Sequence, residues 1–323
     1  MTYTIPAGTK FATLNLSRCA VADDVSDPQT LAHDITVHRA PIFELGNDFE
    51  ADIGTQNAER FKGSNLVLTV SRASAAPTIR DAEWQELDHR VFMVFYAILM
   101  HGIPKFWAGI AAHGGVTDGK PVVLHVSILP PFYWSPLDPM PRVSHATLRS
   151  AEAVVGGMLT VFGSSDYKRL RRGINALIAG WKMHPATDRL HAFVRALDAV
   201  MKLPQGKSRV ELAKRLAVFA TGSALTRTAD ELYRLRSFDE HLSEWPSQLA
   251  HVTPAEQPEF VSRRTCYAEA LASFVYRTLL SEPGLLAMFR READVDAFWA
   301  SGGAAGTQKA ELDAIAARYQ PTA

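Results

Sequence analysis

The residues best suited to chemistry lie in one run, Glu231-Leu232-Tyr233-Arg234-Leu235-Arg236-Ser237-Phe238-Asp239-Glu240-His241-Leu242-Ser243-Glu244-Trp245. It sets an arginine and a histidine five positions apart. A histidine titrating near neutrality can take the proton from a ribose 2′-hydroxyl or return one to a leaving oxygen. An arginine can brace the scissile phosphate with its fork of donors and offset the charge that builds there. Ser237 can add one more hydrogen bond to the phosphate. These types suit RNA cleavage without a metal: the 2′-oxygen attacks phosphorus, the 5′-oxygen leaves, and a 2′,3′-cyclic phosphate and a 5′-hydroxyl result. The same spacing has plainer readings. Arg236 with Glu240, and Glu231 with Arg234, sit at intervals that form weak ion pairs on a helix surface, and a histidine at a helix end is favoured by the dipole. Five positions also rotate an ideal helix by a net of about 140°. The two side chains therefore converge only across a groove, at a helix distortion or opposite a second subunit.

The elements that must position this run form two textures, and they predict an α+β fold: a mixed strand and helix domain over 1–145, then an all-helical domain over 146–323. In the first, Phe11–Leu16, Ile35–Arg39, Asn65–Val70 and Pro121–Ile128 read as strands by alternation and β-branching. Asp81–His101 reads as a helix that opens on an acidic turn and stops near Gly102-Ile103-Pro104. Pro130, Pro131, Pro136, Pro139 and Pro141 predict an extended connector. Beyond Ser144, apolar residues recur at spacings of three and four. They predict helices over Thr147–Phe162, Asp166–Met183, Asp188–Met201, Ser208–Ala220, Thr226–Trp245, Glu256–Ser281, Pro283–Arg291, Asp294–Ala300 and Gln308–Tyr319. Ser301–Gly306 reads as a flexible joint. Each apolar stripe is narrow and needs burial against neighbouring helices.

The helical part resembles an Apea-like HEPN domain, from about Tyr167 to Ser281. The resemblance rests on Arg189-Leu190-His191-Ala192-Phe193-Val194-Arg195-Ala196-Leu197-Asp198-Ala199-Val200, on Gly206-Lys207-Ser208 leading into the helix with Lys214 and Arg215, on Glu231–Ser237, and on the Arg–x4–His element itself. It implies a HEPN-like helical bundle and a metal-independent endoribonuclease acting as a homodimer, with the Arg and His of both subunits lining one cleft. In that reading Arg236 braces the phosphate and His241 is the catalytic base or acid. Ser237, Tyr233, Arg234, Arg189, Arg195, Lys214 and Arg215 are the expected substrate contacts, RNA is the partner, and no cofactor or metal is expected. The setting it implies is bacterial antiphage or abortive-infection defence, with a phage or antitoxin protein as a further partner and the 1–145 domain sensing or restraining. The alternative is a HEPN-like module that binds RNA, a nucleotide or a protein without cutting, which Asp239 and Glu240 beside the phosphate position favour.

Other residues bear on the choice. Lys168, Arg169, Arg171, Arg172 and Lys182 make one basic face, and Lys207, Arg209, Lys214 and Arg215 another; they suit an RNA backbone, while for any one residue a solvated face is the plainer reading. Trp84, Trp107, Phe132, Tyr133 and Trp134 give the first domain an aromatic load near its exit, either lining a sensor pocket or covering a small core. With 34 Lys+Arg against 34 Asp+Glu across 323 residues, any nucleic-acid contact must come from a local patch. Two distant cysteines, Cys19 and Cys266, fit a reducing compartment. The apolar runs are too short for a bilayer crossing, and a cytoplasmic protein is expected. Gly206-Lys207-Ser208 looks like the tail of a phosphate loop, but Met201 stands where its first glycine belongs. His101 and His113 flank a glycine-rich stretch without a carboxylate cluster and read as structural.

Overall fold

A computed structural model of the chain describes residues 5–130, 132, 141–204, 208–222, 225–240, 249, 252–303 and 310–311, with the backbone alone at 208–209, 228, 235–240 and 310–311. The fold is mixed α+β and divides into two compact units. One comprises Met1–Pro131 and Met140–Gly156, the other Phe132–Pro139 and Gly157–Ala323, so the division falls inside helix α4 (His145–Gly163).

The first unit is built on six antiparallel strands in the order β2-β3-β4-β1-β5-β6: β1 Thr9–Ser17, β2 Gln29–Thr30, β3 Ile35–His38, β4 Ser64–Ala73, β5 Ala108–Thr117 and β6 Lys120–Ile128. β1 lies between β4 and β5 and is buried along its whole length. Alternation sends Phe11 to one face, where it packs with Phe43, Phe61, Ile110, Ala112 and Val116 beneath two short helices, α1 (Asn47–Ile53) and α2 (Thr55–Lys62). Thr13 and Asn15 share that face, where the Thr13 hydroxyl donates to the Ala112 carbonyl at 3.3 Å. The Asn15 amide donates to Thr13 Oγ1 at 2.9 Å and to the Ile110 carbonyl at 3.2 Å. The opposite face carries Lys10, Ala12, Leu14 and Leu16 against α3 (Ala82–Leu99), whose inner stripe is Leu87, Val91, Val94, Phe95 and Ile98. Asp81 caps α3 by accepting from the Trp84 amide at 3.1 Å. Lys10, 1% exposed, is held by Asp81 at 2.6 Å and Glu83 at 3.1 Å. His113 is buried on the same face, 2.6 Å from Asp88 and stacked on His125.

The four strands expected over 11–16, 35–39, 65–70 and 121–128 and the 81–101 helix are present with shifted ends. β2, β5, α1 and α2 have no counterpart among the elements expected from the sequence. Of the aromatic load, Phe132 is buried, Trp84 half-buried and Trp107 exposed, while Tyr133 and Trp134 lie outside the described residues, as does most of the proline-rich connector.

The second unit contains the rest of α4, then α5 (Lys168–Lys182), α6 (Ala186–Met201), α7 (Ser208–Phe219), α8 (Leu225–Glu240), α9 (Gln257–Ser281), α10 (Pro283–Ala287) and α11 (Glu292–Ala300). A three-residue link folds α5 onto α6, and both pack on α9. α9 supplies the centre, with Tyr267, Leu271, Val275, Tyr276 and Leu279 buried. Its junction with α5 needs a missing side chain. A Cβ on Gly173 would fall 1.7 Å from the Tyr276 hydroxyl oxygen and 2.6 Å from the Ala199 Cβ. That hydroxyl donates to the Ala196 carbonyl at 2.8 Å. α8 packs on α6 and α7. The expected helix over 308–319 is corrected where it is described: Ala310–Glu311 is a strand, β8, paired in parallel with β7 (Ala220–Thr221). Its remaining residues, and 304–306 of the expected joint, lie outside the described residues. No helix among the described residues is long and apolar enough to cross a membrane.

Candidate nucleic-acid interface

The amphipathic helix α5 turns Leu170, Ile174, Leu177 and Trp181 inward, which leaves Lys168, Arg169 and Arg172 off the buried stripe. Beside them stand Arg195, Asp198 and Ala199 of α6, Ser165 and Asp166 of the 3-10 turn before α5, and Phe289 to Glu292 at the joint between α10 and α11. Together they line an open cleft of about 520 Å³. Six cations (Lys168, Arg169, Arg172, Arg195, Arg290 and Arg291) face three carboxylates (Asp166, Asp198 and Glu292), a local excess of three positive charges in a chain with none overall.

Half of those cations build the cleft. Arg169 donates to the Ala199 carbonyl at 2.8 Å and the Asp198 carbonyl at 2.9 Å, binding carbonyls in the last turn of α6. Arg290 and Arg291 meet Asp166 at 2.7 and 3.3 Å and tie the joint to the start of α5. Burial raises the Asp166 carboxyl, but Arg291 and Arg290 outweigh it and hold the group below its ordinary range. Glu292 is shared by Arg169 at 3.8 Å and Lys202 at 2.8 Å. The other half, Lys168, Arg172 and Arg195, are exposed and make no ion pair or side-chain hydrogen bond among the described residues. Lys168 and Arg172 are four apart on one helix, so they project together. Three unneutralised cations on a floor of fixed ones can take the oxygens of a phosphate chain.

The expected site residues are scattered over the unit. Arg195 lines the cleft. Arg189, 1% exposed, bonds Glu269 at 2.7 Å and the Gly180 carbonyl at 3.3 Å, and Glu269 also accepts from the Trp181 indole at 3.1 Å. Arg171 binds the Val161 and Ser164 carbonyls. Arg215 donates to the Met201 and Lys202 carbonyls beneath the Trp299 ring, and burial pulls its pKa down. Lys214 pairs with Glu211 at 2.9 Å and lines a second groove, of about 880 Å³, with Val210, Ala217, Leu225, Arg227 and Asp230. Arg234 pairs with Asp230 at 3.1 Å, and Glu231 with Arg264 at 2.8 Å. Tyr233 is half-buried. Arg236 and Ser237 lie in the last turns of α8, with side chains outside the described residues; His241 lies wholly outside them, as do Lys207 and the Arg209 side chain. Arg290 and Arg291 escaped sequence reasoning. Their signal is an Arg-Arg pair directly after a short helix, which gains meaning only once the fold sets it against α5.

Among the described residues, no three His, Cys, Asp or Glu side chains converge as a metal-ligand set. The chain matches no protein-family model, no curated protein and no solved structure.

Proposed function

We propose that the helical unit is a HEPN-type RNA-binding domain whose cleft between α5, α6 and the α10–α11 joint holds the phosphate backbone. The reading includes cutting: the Arg236–His241 element at the end of α8 cleaves the bound strand without a metal, in a dimer. The observation that carries it is the trio Lys168, Arg172 and Arg195, three exposed cations without an ion pair or side-chain hydrogen bond among the described residues, in a cleft of net positive charge. Solvent-facing guanidinium and ammonium groups held near one another gain most from a ligand with regularly spaced anions. The cutting half is supported by residue chemistry alone: an imidazole for the 2′-hydroxyl proton, a guanidinium for the charge on phosphorus and a serine beside it.

The two halves separate in one experiment. Single-stranded RNA is incubated with the full chain in EDTA, and binding and strand length are read together. The expected result is binding that Arg172→Glu with Arg195→Glu abolishes, and cleavage to 2′,3′-cyclic phosphate ends that Arg236→Ala or His241→Ala abolishes while binding persists. Intact RNA bound by the native chain leaves the non-cutting module. Binding that ignores the charge reversals rejects the cleft.

A further inference from the structure

The first unit has an exposed aromatic that the cleft does not use. Trp107 leaves 51% of its surface open. It stands at the end of the β1–β5 ladder, where its amide donates to the Ser17 carbonyl at 2.8 Å and the Ala20 amide donates to the Lys105 carbonyl at 2.8 Å, so residues 17–20 and 105–107 run side by side. Arg18 leaves the strand at φ +50°, which puts its guanidinium carbon 3.9 Å from the centre of the indole. Arg60, in the last turn of α2, lies 5.1 Å from the same ring. Its guanidinium donates to the Asn57 side chain at 3.1 Å, and its buried Nε has no hydrogen-bond partner among the described residues. Arg18 and Lys105 are exposed, with no side-chain hydrogen bond or ion pair among the described residues. A half-open indole and two guanidinium groups thus share one place, with Lys105 two residues before the indole in the chain, and no carboxylate among the described residues is bonded to Arg18, Arg60 or Lys105.

Each candidate occupant leaves a different remainder. An apolar partner would bury guanidinium groups that nothing pairs, at a cost. An acidic peptide would answer the charges and leave the ring uncovered. A nucleotide answers both, because its base stacks on indole and guanidinium planes while its phosphate accepts from arginine and lysine. We propose that Trp107, Arg18, Arg60 and Lys105 form a stacking subsite for one nucleotide of a single-stranded nucleic acid. It stands on residues of the sheet unit alone and is independent of the cleft.

The test uses the full chain and a fluorescein-labelled uridine dodecamer with 2′-O-methyl riboses, which lacks the attacking hydroxyl and stays intact. Binding is read by anisotropy for the native chain, Trp107→Ala, Trp107→Phe and Arg18→Gln, each also combined with Arg172→Glu and Arg195→Glu, with polyglutamate as a second probe. Stacking of one base predicts that Trp107→Ala weakens binding at least about fivefold, that Trp107→Phe stays close to native, and that Arg18→Gln falls between them. The Trp107 effect persists in the charge-reversed background for whatever affinity remains. Thermal unfolding of each variant checks the fold, and should Trp107→Ala destabilise the unit, Arg18→Gln decides. Equal affinity of Trp107→Ala and native chain overturns the subsite, even where the charge reversals abolish binding and the cleft stands. A Trp107 effect without a charge-reversal effect upholds the subsite and rejects the cleft. A Trp107-dependent affinity for polyglutamate but not for the dodecamer overturns it in favour of an acidic protein partner.

Discussion

Arg189 and Arg195 stand on the same helix, six positions apart, and the fold uses them in opposite ways. Arg189 is 1% exposed and closed on Glu269, itself bonded by Trp181. Arg195 reaches open solvent in the cleft beside Arg172 and Lys168. A buried ion is tolerable only with its partner in place, whereas an exposed one without a partner is free to meet a ligand. In this unit, then, what distinguishes a ligand-facing cation from a structural one is whether the protein has already answered it. By that measure Arg169, Arg171, Arg215, Arg290 and Arg291 are framework, and Lys168, Arg172 and Arg195 are the face.

The sharpest way to break the contrast is at Arg189. Arg189→Met takes the guanidinium partner at 2.7 Å from the buried Glu269 carboxyl and should cost about 3–5 kcal/mol of unfolding free energy in chemical denaturation. Adding Glu269→Leu should recover part of it, because the buried carboxyl that lost its ion-pair partner goes with it. Next in size is Gly173→Ala, whose new methyl overlaps the Tyr276 hydroxyl and Ala199; overpacking of this kind costs about 1–3 kcal/mol, read as a lower unfolding midpoint. Arg195→Glu should leave stability within about 0.5 kcal/mol. It should also lower single-stranded RNA affinity several-fold and shrink the slope of log affinity against log salt by about 0.7 for the lost phosphate contact.

An acid effect belongs to the sheet unit. Burial pushes the His38 imidazole down to about 4, against the opposing pull of Asp27 at 3.8 Å. The unfolded chain therefore takes up a proton here before the folded one does. This contribution is whole above about pH 6.5 and is lost as the pH falls towards 4. His38→Leu should flatten that part of the stability–pH curve. The smallest effect is expected at Arg234→Ala. It removes an exposed pair with Asp230 and should change stability by no more than about 0.5 kcal/mol.

How much of this the sequence disclosed depends on the kind of signal. Alternation and β-branching mark β1, β3, β4 and β6, and the three-four spacing marks the helices of the second unit. β5 reads Ala-Gly-Ile-Ala-Ala-His-Gly-Gly-Val-Thr, in which five residues from Ala111 to Gly115 include no β-branched side chain to announce a strand. Its small residues answer a constraint visible only in three dimensions, since a Cβ on Gly114 would lie 2.1 Å from the Val122 carbonyl oxygen. α1 and α2 are too short to show a period. At the cleft, Lys168 and Arg172 stand out in sequence as charges off the apolar stripe of α5. Arg189 could have been separated from Arg195 the same way, because it shares a face with Phe193, Ala196 and Val200 while Arg195 does not. The Arg290-Arg291 pair is visible in the sequence, but its contact with Asp166, 124 and 125 positions away, is not, and the same holds for Arg189 with Glu269.

The central claim is that Lys168, Arg172 and Arg195 hold a phosphate backbone. It is tested most directly by measuring the affinity of the full chain for single-stranded RNA at two salt concentrations, native against Arg172→Glu with Arg195→Glu. The account predicts tight, salt-dependent binding by the native chain, and loss of both affinity and salt slope in a variant that unfolds at the native midpoint. Native-like affinity and slope in that variant would contradict it.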